Sequence, residues 1–253
     1  MYKTSFSILD ATLESYRFVW REAGYLARIG FLPLAANLIC AFYIELMLEN
    51  PSIIARWLWQ MPATALLAWF MFVEVRLILL GERLGARSTA LVEPAETRKS
   101  KMGASVILWL LFSMGLTAAA GFMHWSLTQQ LFGVHALTTA AVMLLIGALF
   151  WALRFSVLHI LAAVGFPIRT FIFAVNGIGF SFRLLAMGLL CFFPVLFMFQ
   201  AIATPFIEDP KNLTQDDILV TMAISAPMSI TLAAVLNAAA AFALKQIFSK
   251  ERR

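Results

Sequence analysis

The stretch from residue 57 to residue 80, WLWQMPATALLAWFMFVEVRLILL, decides the fold class of this chain. Its first nineteen residues contain a single ionisable side chain, Glu74, before the chain reaches Arg76. At about 1.5 Å per residue, a helix of this length spans about 28 Å, close to the thickness of the hydrocarbon core of a bilayer. We therefore interpret residues 57–80 as a membrane-spanning helix.

Five further stretches share this apolar character. Together they predict an all-α integral membrane bundle of six transmembrane helices, with amphipathic helices on the cytoplasmic side. The predicted spans cover residues 31–48, 57–80, 102–123, 136–153, 184–206 and 218–243. The chain is 62% hydrophobic and 13% charged, whereas soluble domains are roughly 45–50% apolar and about 25% charged. This leaves room for a single membrane domain, residues 1–253, and for no soluble domain; no nucleic-acid partner is expected.

The basic residues are divided unevenly between the two sides of this bundle. With the N-terminus in the cytoplasm, seventeen of the nineteen Lys and Arg residues fall on the cytoplasmic side, and only Arg56 and Lys211 fall on the other. The cytoplasmic set then has a net charge of +9 and the outer set a net charge of −4. Because basic loops resist translocation, this bias predicts a multi-pass membrane protein with both termini cytoplasmic.

Residues 5–28 precede the first span and are predicted to form one amphipathic helix. Leu13 and Trp20 lie on its apolar stripe, whereas Arg17 and Arg21 lie on the opposite, charged stripe. Such a helix lies along the cytoplasmic membrane surface with its apolar face towards the lipid. The alternative is a helix that packs on other segments of the protein.

Residues 166–183 are predicted to form a second interfacial segment. Arg169, Asn176 and Arg183 are spaced by seven residues, so on one helix they would share a narrow polar stripe. The predicted partners of both segments are membrane lipids, in particular anionic ones. The predicted lipid-facing interfacial residues are Trp20, Arg17, Arg21, Arg169 and Arg183.

Ionisable residues close to the hydrocarbon region mark a candidate site, since charge there is costly and often functional. Four of them fall near the inner interface when residues are counted from the outer end of each span: Glu74, Arg76, Glu82 and Arg154. By this count Arg76 and Arg154 lie at the same depth. The functional interpretation is a polar cavity or relay; the structural one is snorkelling arginines and one or two ion pairs. We predict that Glu82 or Glu74 pairs with Arg154 or Arg76.

The sequence contains no motif of a known catalytic centre. HExxH, GxSxG, Walker, CxxC and GxGxxG patterns are all missing, so no catalytic residue, metal ligand or cofactor is expected. The three histidines are dispersed and are interpreted as interface residues. Single polar residues inside spans, such as Asn37, Gln200 and Asn237, are interpreted as contacts between helices.

Two short steps in the sequence resemble a known family. Arg76 is followed by Leu77-Ile78-Leu79-Leu80-Gly81-Glu82, and the apolar run after Arg154 ends in Ala163-Val164-Gly165. These steps resemble the bacterial YciC-like proteins and the membrane domains of glycerophosphodiester phosphodiesterases. The resemblance implies six spans, an initial amphipathic helix and a location in a bacterial inner membrane. It transfers no catalytic residue, because the chain contains no counterpart of the phosphodiesterase barrel.

These features favour a non-catalytic accessory protein of the inner membrane that binds lipid or a membrane-protein partner. The alternative is a transporter or channel for a small solute or a lipid, which would use the charges close to the membrane. An intramembrane enzyme is a third class, and nothing in the sequence supports it.

Overall fold

The computed structural model describes residues 6–48, 52–84, 94–129, 135–175, 178–206 and 215–249, and every regular element in these ranges is helical. The ranges contain nine α-helices: α1 (Ile8–Arg21), α2 (Ala23–Met47), α3 (Ile53–Leu80), α4 (Ala95–Gln129), α5 (His135–Ala152), α6 (Leu158–Val164), α7 (Ile168–Ala174), α8 (Ile178–Ala203) and α9 (Gln215–Ser249). A 3₁₀ segment, Leu153–Val157, joins α5 to α6, and another, Thr204–Phe206, follows α8.

Six segments are long and apolar enough to cross a membrane, which confirms the predicted all-α bundle. They are Ala23–Met47, Ile53–Leu80, Glu96–Met123, Val142–Val164, Ile178–Phe206 and Leu219–Phe248. Large apolar side chains are exposed on the outside of these segments, among them Phe31, Leu111, Leu144, Phe197 and Met198. An apolar exterior on long apolar helices is that of a multi-pass membrane protein. We call the end of the bundle where α3, α6 and α9 terminate the basic end.

Helix α3 lies at the centre of the half of the bundle next to the basic end. Every residue from Phe70 to Arg76 is buried, and α3 packs on α2, α4, α6 and α9. On α9, small buried residues such as Ala238 and Ala241 allow the helices to approach closely. This packing places Glu74 and Arg76 inside protein rather than against lipid.

Two glycines in the left-handed backbone region end α3 and α6 at the basic end. Gly81 has φ of 70° and Gly165 has φ of 77°, a conformation that glycine adopts without a steric penalty. A Cβ atom on Gly165 would lie 2.5 Å from Cε of Lys101, so a larger residue would displace the end of that side chain. After Gly81 the chain turns back, which brings Glu82 towards Arg76.

The N-terminal helix is shorter than the predicted range 5–28. Helix α1 ends at Arg21, and the residues from Ala23 onwards belong to the first span. The break falls at Glu22, whose carboxylate lies 2.6 Å from a guanidinium nitrogen of Arg83. This ion pair connects the junction of α1 and α2 to Arg83, just beyond the end of α3.

The predicted interfacial segment 166–183 is also wrong in its length. It divides into the separate helices α7 and α8, and residues 178–183 are the first turns of the fifth span. At Val175 the backbone leaves the helical region (φ −101°, ψ 46°). Arg169 and Arg183 therefore lie on different helices rather than on one stripe, and Asn176 lies outside the described residues.

The polar link from residue 83 to residue 101, which its composition predicts to be a loop, is helical in its second part. Helix α4 begins at Ala95, directly after Pro94. The carbonyl of Pro94 accepts a hydrogen bond from the amide of Arg98 at 3.1 Å. A proline is well tolerated at a helix start, because the first amides of a helix have no partner within it.

Candidate functional site

The buried Arg76 forms an ion pair with the half-buried Glu82 where α3 ends. Nε and Nη2 of Arg76 donate to the two carboxylate oxygens of Glu82 at 2.8 and 3.0 Å, which is the strong two-point geometry of arginine with a carboxylate. The remaining nitrogen, Nη1, donates to the carbonyl of Ala163 on α6 at 2.9 Å. The predicted pairing of one of these acids with one of these arginines is therefore found as Arg76 with Glu82, and it ties α3 to α6.

Glu74 is bonded to side chains of two other helices. Its Oε2 accepts a hydrogen bond from Nδ2 of Asn237 at 2.6 Å, and Oδ1 of Asn237 lies 3.0 Å from Nε2 of His159. The opposite ring nitrogen of His159, Nδ1, lies 2.6 Å from the carbonyl oxygen of Ser156. We call Glu74, Asn237 and His159, which lie on α3, α9 and α6 and are at most 4% exposed, the buried triad.

Further polar atoms lie close to the buried triad on α4. The ring of Trp109 meets that of His159 edge to face, with 5.0 Å between the ring centres. Nε1 of Trp109, Oγ of Ser105 and Oε1 of Glu74 are all buried and make no hydrogen bond to the described residues. Buried polar atoms without partners are rare in proteins and call for an explanation.

Arg154 lies deeper in the bundle than Arg76, so the prediction that they share one depth is wrong. Asn237 bridges Glu74 and His159, which are therefore level. Arg154 precedes His159 by five residues and Arg76 follows Glu74 by two, on helices that run in the same direction, so they differ by about 10 Å along the bundle axis. The prediction assumed that the outer ends of the second and fourth spans lie at the same depth, whereas these ends are offset along the bundle axis.

Arg154 and other basic side chains bond to main-chain carbonyls close to helix ends. The carbonyls at the ends of α6 and α7 have no partner within their helix and carry the negative end of the helix dipole, whereas the carbonyl of Phe6 precedes α1. The pairs are Arg76 with Ala163 (2.9 Å), Lys101 with Val164 (3.5 Å), Arg154 with Val175 (3.1 Å) and Arg183 with Phe6 (2.6 Å). Arg154 also lies 3.5 Å from Oγ of Ser181. Several of the charges near the membrane thus join elements of the bundle.

Helix α1 has three faces, because successive residues of a helix are rotated by about 100°. The first face is buried against α8 and α9 and contains Ala11, Thr12, Ser15 and Phe18. The second is exposed and apolar and contains Leu9, Leu13 and Trp20, the last 86% exposed. The third is exposed and charged and contains Asp10, Glu14, Arg17 and Arg21. Helix α1 therefore packs on the protein through its first face only, and its other two faces stay exposed.

Both ends of α1 are bonded to the basic end of the bundle. Before α1, the amide of Ser7 donates to Oε1 of Gln246 near the end of α9 at 2.8 Å. After α1, Glu22 pairs with Arg83 beyond the end of α3. Helix α1 therefore lies across the basic end.

Aromatic side chains of α1 complete its attachment. The hydroxyl of Tyr16 donates to the carbonyl of Cys191 on α8 at 2.7 Å, and the ring of Phe18 meets that of Phe242 on α9 with 6.0 Å between centres. Burial raises the pKa of Tyr16 to about 12. The phenol therefore keeps its proton, and can donate it, at neutral pH.

The remaining predicted interfacial residues lie at the same end of the bundle. Arg169 is exposed on α7, whereas Arg183 is half-buried on α8 and bonds to the carbonyl of Phe6. From the sequence, His159 is interpreted as an interface residue and Asn237 as a contact between helices. Nothing in the sequence pairs these two residues with Glu74, because they come from three helices.

An apolar cleft of about 410 Å³ lies between α4 and the helices α5 and α6. It is lined by Leu108, Phe112 and Leu116 of α4, by Leu149 of α5 and by Leu158 of α6. Leu116 is 40% exposed on the outside of the bundle, so the cleft opens sideways within the spans.

The chain matches no protein-family model, no curated protein and no solved structure. The resemblance to the YciC-like family and the phosphodiesterase membrane domains stays a prediction. Among the described residues, no group of three or more His, Cys, Asp and Glu side chains is arranged as a metal site would require.

Proposed function

We propose that this chain is a non-catalytic accessory protein of a bacterial inner membrane that binds anionic phospholipid at its basic end. The observation that carries the proposal is the three-faced helix α1. One face attaches the helix to α8 and α9, while an apolar face and a charged face that contains Arg17 and Arg21 stay exposed side by side.

The two exposed faces of α1 suit the boundary between acyl chains and headgroups. Leu13 and Trp20 are centred about 70° from Arg17 and Arg21 around the helix axis. With the apolar face turned towards the acyl chains, the two arginines stand at the level of the lipid phosphates. Each basic residue near an anionic membrane surface contributes about 1 kcal/mol of attraction.

The burial pattern also separates structural charges from charges available to lipid. Arg76 and Arg154 are buried and bonded within the protein. Other basic residues towards the basic end are exposed, namely Arg17, Arg21, Arg28, Lys99 and Lys245. The apolar cleft beside α4 provides, in addition, a lateral site of the right character for an acyl chain.

Replacing Arg17 and Arg21 together by glutamine should weaken the preference for phosphatidylglycerol over phosphatidylcholine by roughly tenfold to thirtyfold, which corresponds to about 2 kcal/mol. The measurement is the fraction of spin-labelled lipid immobilised by the full chain in vesicles of each composition. Arg56→Gln is the matched control, because Arg56 is exposed at the opposite end of the bundle. Equal preference in the double variant and in the wild type would contradict a role for α1.

The orientation of α1 is tested by spin labels in a background in which Cys40 and Cys191 are replaced. Labels at Leu13 and Trp20 should be accessible to oxygen in the lipid, and those at Glu14 and Arg21 to water-soluble quenchers. Equal accessibility at all four positions would leave the helix without a preferred face towards the membrane.

The proposed location rests on the charge bias and predicts both termini in the cytoplasm. Reporter fusions after Asn50, Gln130 and Asn212 should report the outer side, and a fusion after Thr97 should report the cytoplasm. A fusion after Thr97 that reports the outer side would overturn the orientation, and with it the lipid leaflet that the basic end can contact.

A second candidate function is a transporter for a small solute or a lipid, and the buried triad is the observation that favours it. Ionisable residues inside membrane spans often mark ion or substrate pathways. Liposomes that contain the purified chain and a pH-sensitive dye separate the two functions. A proton or solute flux that the wild-type chain shows and the Glu74→Gln variant lacks supports transport. No flux with the wild-type chain supports the lipid-binding accessory protein.

A further inference from the structure

We propose that Glu74, Asn237 and His159 form an intramembrane proton-binding site in which the carboxyl group and the imidazole titrate as one coupled pair. The site lies inside the bundle, on three different spans, and is separate from the lipid-binding surface of α1. It is independent of whether the chain binds lipid.

The directions of the hydrogen bonds carry this inference. Asn237 donates through Nδ2 both to the carbonyl of Met71 at 3.1 Å and to Glu74 at 2.6 Å. Its Oδ1 is therefore the atom that faces His159. An amide oxygen only accepts hydrogen bonds, so Nε2 of His159 must carry a proton to bond to it.

The other ring nitrogen of His159 faces an acceptor as well. Nδ1 lies 2.6 Å from the carbonyl oxygen of Ser156. A histidine between two oxygen acceptors satisfies both only as the imidazolium, which has a proton on each nitrogen. Its positive charge is then balanced across Asn237 by a carboxylate on Glu74.

A second arrangement of the same protons exists. If the Nδ1–H bond of His159 breaks and the proton moves to Oε1 of Glu74, the nitrogen keeps the electron pair and both groups become neutral. Asn237 then keeps its bonds to Met71 and Glu74 and still accepts from Nε2 of His159. The protonation states of the two groups are thus linked by their shared charge balance.

Among the described residues, the charged side chains on the elements packed around the site are bonded to other groups or exposed. On the elements packed around the site, Arg76 bonds to Glu82 and Ala163, Lys101 to Val164, and Arg154 to Val175, while Arg28 and Lys245 are exposed. The pair of Glu74 and His159 therefore has its own charge balance.

A polar stripe on α4 leads from the basic end to the site. Lys101, Ser105 and Trp109 are spaced by four residues and so share one side of the helix. The buried Oγ of Ser105 and Nε1 of Trp109 make no hydrogen bond to the described residues, and Trp109 contacts His159. The stripe gives protons a polar approach to the triad from the basic end.

The test counts the protons on His159 by nitrogen-15 NMR of the full chain in micelles, with His124 and His135 replaced by glutamine. We expect both ring nitrogens to carry protons at neutral pH. Glu74→Gln keeps the hydrogen-bond acceptor but removes the charge, so one of the two N–H signals should be lost. Glu45→Gln, which removes an exposed carboxylate at the other end, should leave both signals in place.

The coupling can also be measured without changing the triad. Carbon-13 in the carboxyl group of Glu74 and nitrogen-15 in His159 should change their signals over the same pH interval, as a linked pair requires. The proposal would be overturned if one ring nitrogen of His159 is unprotonated at neutral pH and Glu74→Gln does not change its signal. Separate pH intervals for the two groups would overturn it as well.

Discussion

Replacing Arg76 by alanine should lower the free energy of unfolding by about 3–5 kcal/mol, because it leaves the carboxylate of Glu82 without its buried partner. Arg76 is 1% exposed and binds both oxygens of Glu82 and the carbonyl of Ala163. The truncation therefore also uncouples the ends of α3 and α6. The measurement is reversible unfolding of the purified chain in mixed micelles with increasing denaturing detergent.

The chain contains a matched control for this variant. Arg56 and Glu45 form an ion pair with the same nitrogen–oxygen distance, 2.8 Å, as Arg76 and Glu82, but their side chains are 46% and 35% exposed. Arg56→Ala should cost only about 0.2–1 kcal/mol, since water already solvates the separated charges. If Arg76→Ala does not fold, Glu82→Gln provides the comparison. Equal losses at the two pairs would show that burial does not strengthen the pair at Arg76.

Replacing Arg154 by alanine should cost about 3 kcal/mol, because Arg154 holds the 3₁₀ segment against the end of α7. Arg154 is 4% exposed, and its loss leaves the carbonyl of Val175 without this donor. A hydrogen bond from a charged group contributes about 1.5–3 kcal/mol, and an unsatisfied buried carbonyl adds to the loss. The unfolding measurement in mixed micelles applies here as well.

Two further variants separate the geometry of Arg154 from its charge. Arg154→Lys keeps the charge but lacks the planar fork of donors, so it should recover only part of the lost stability. Arg28→Ala removes an exposed arginine from α2 and should change stability by less than about 0.5 kcal/mol. A full recovery by lysine would mean that charge alone matters at this position.

Hydropathy predicted the spans because a membrane requires about 20 consecutive apolar residues, a property that each segment carries by itself. The pairing of Arg76 with Glu82 was also within reach, since six residues separate them and a glycine stands between. The break between α1 and α2 at Glu22 could not be predicted, because the helical periodicity of the sequence continues through it. It is Arg83, 61 residues later, that holds Glu22 at the junction.

The buried triad could not be predicted for a related reason. His159 and Asn237 are 78 residues apart, and Asn237 and Glu74 are 163 apart. Each looks like an isolated polar residue in an apolar helix, and their meeting depends on how three spans pack. The packed face of α1 could not be predicted either, because Ala11 is too small and Ser15 too polar to indicate a buried stripe.

The attachment of α1 to α9 has a consequence for the order of biosynthesis. Ser7 bonds to Gln246, 239 residues further along the chain, so this contact cannot form until the last span has been made. At roughly 5–20 residues per second, the ribosome needs on the order of ten to fifty seconds to cover that distance. During this time Phe18 has no α9 to pack against, and the membrane surface is the apolar phase at hand. Insertion of this protein would then finish with its first helix closing onto its last.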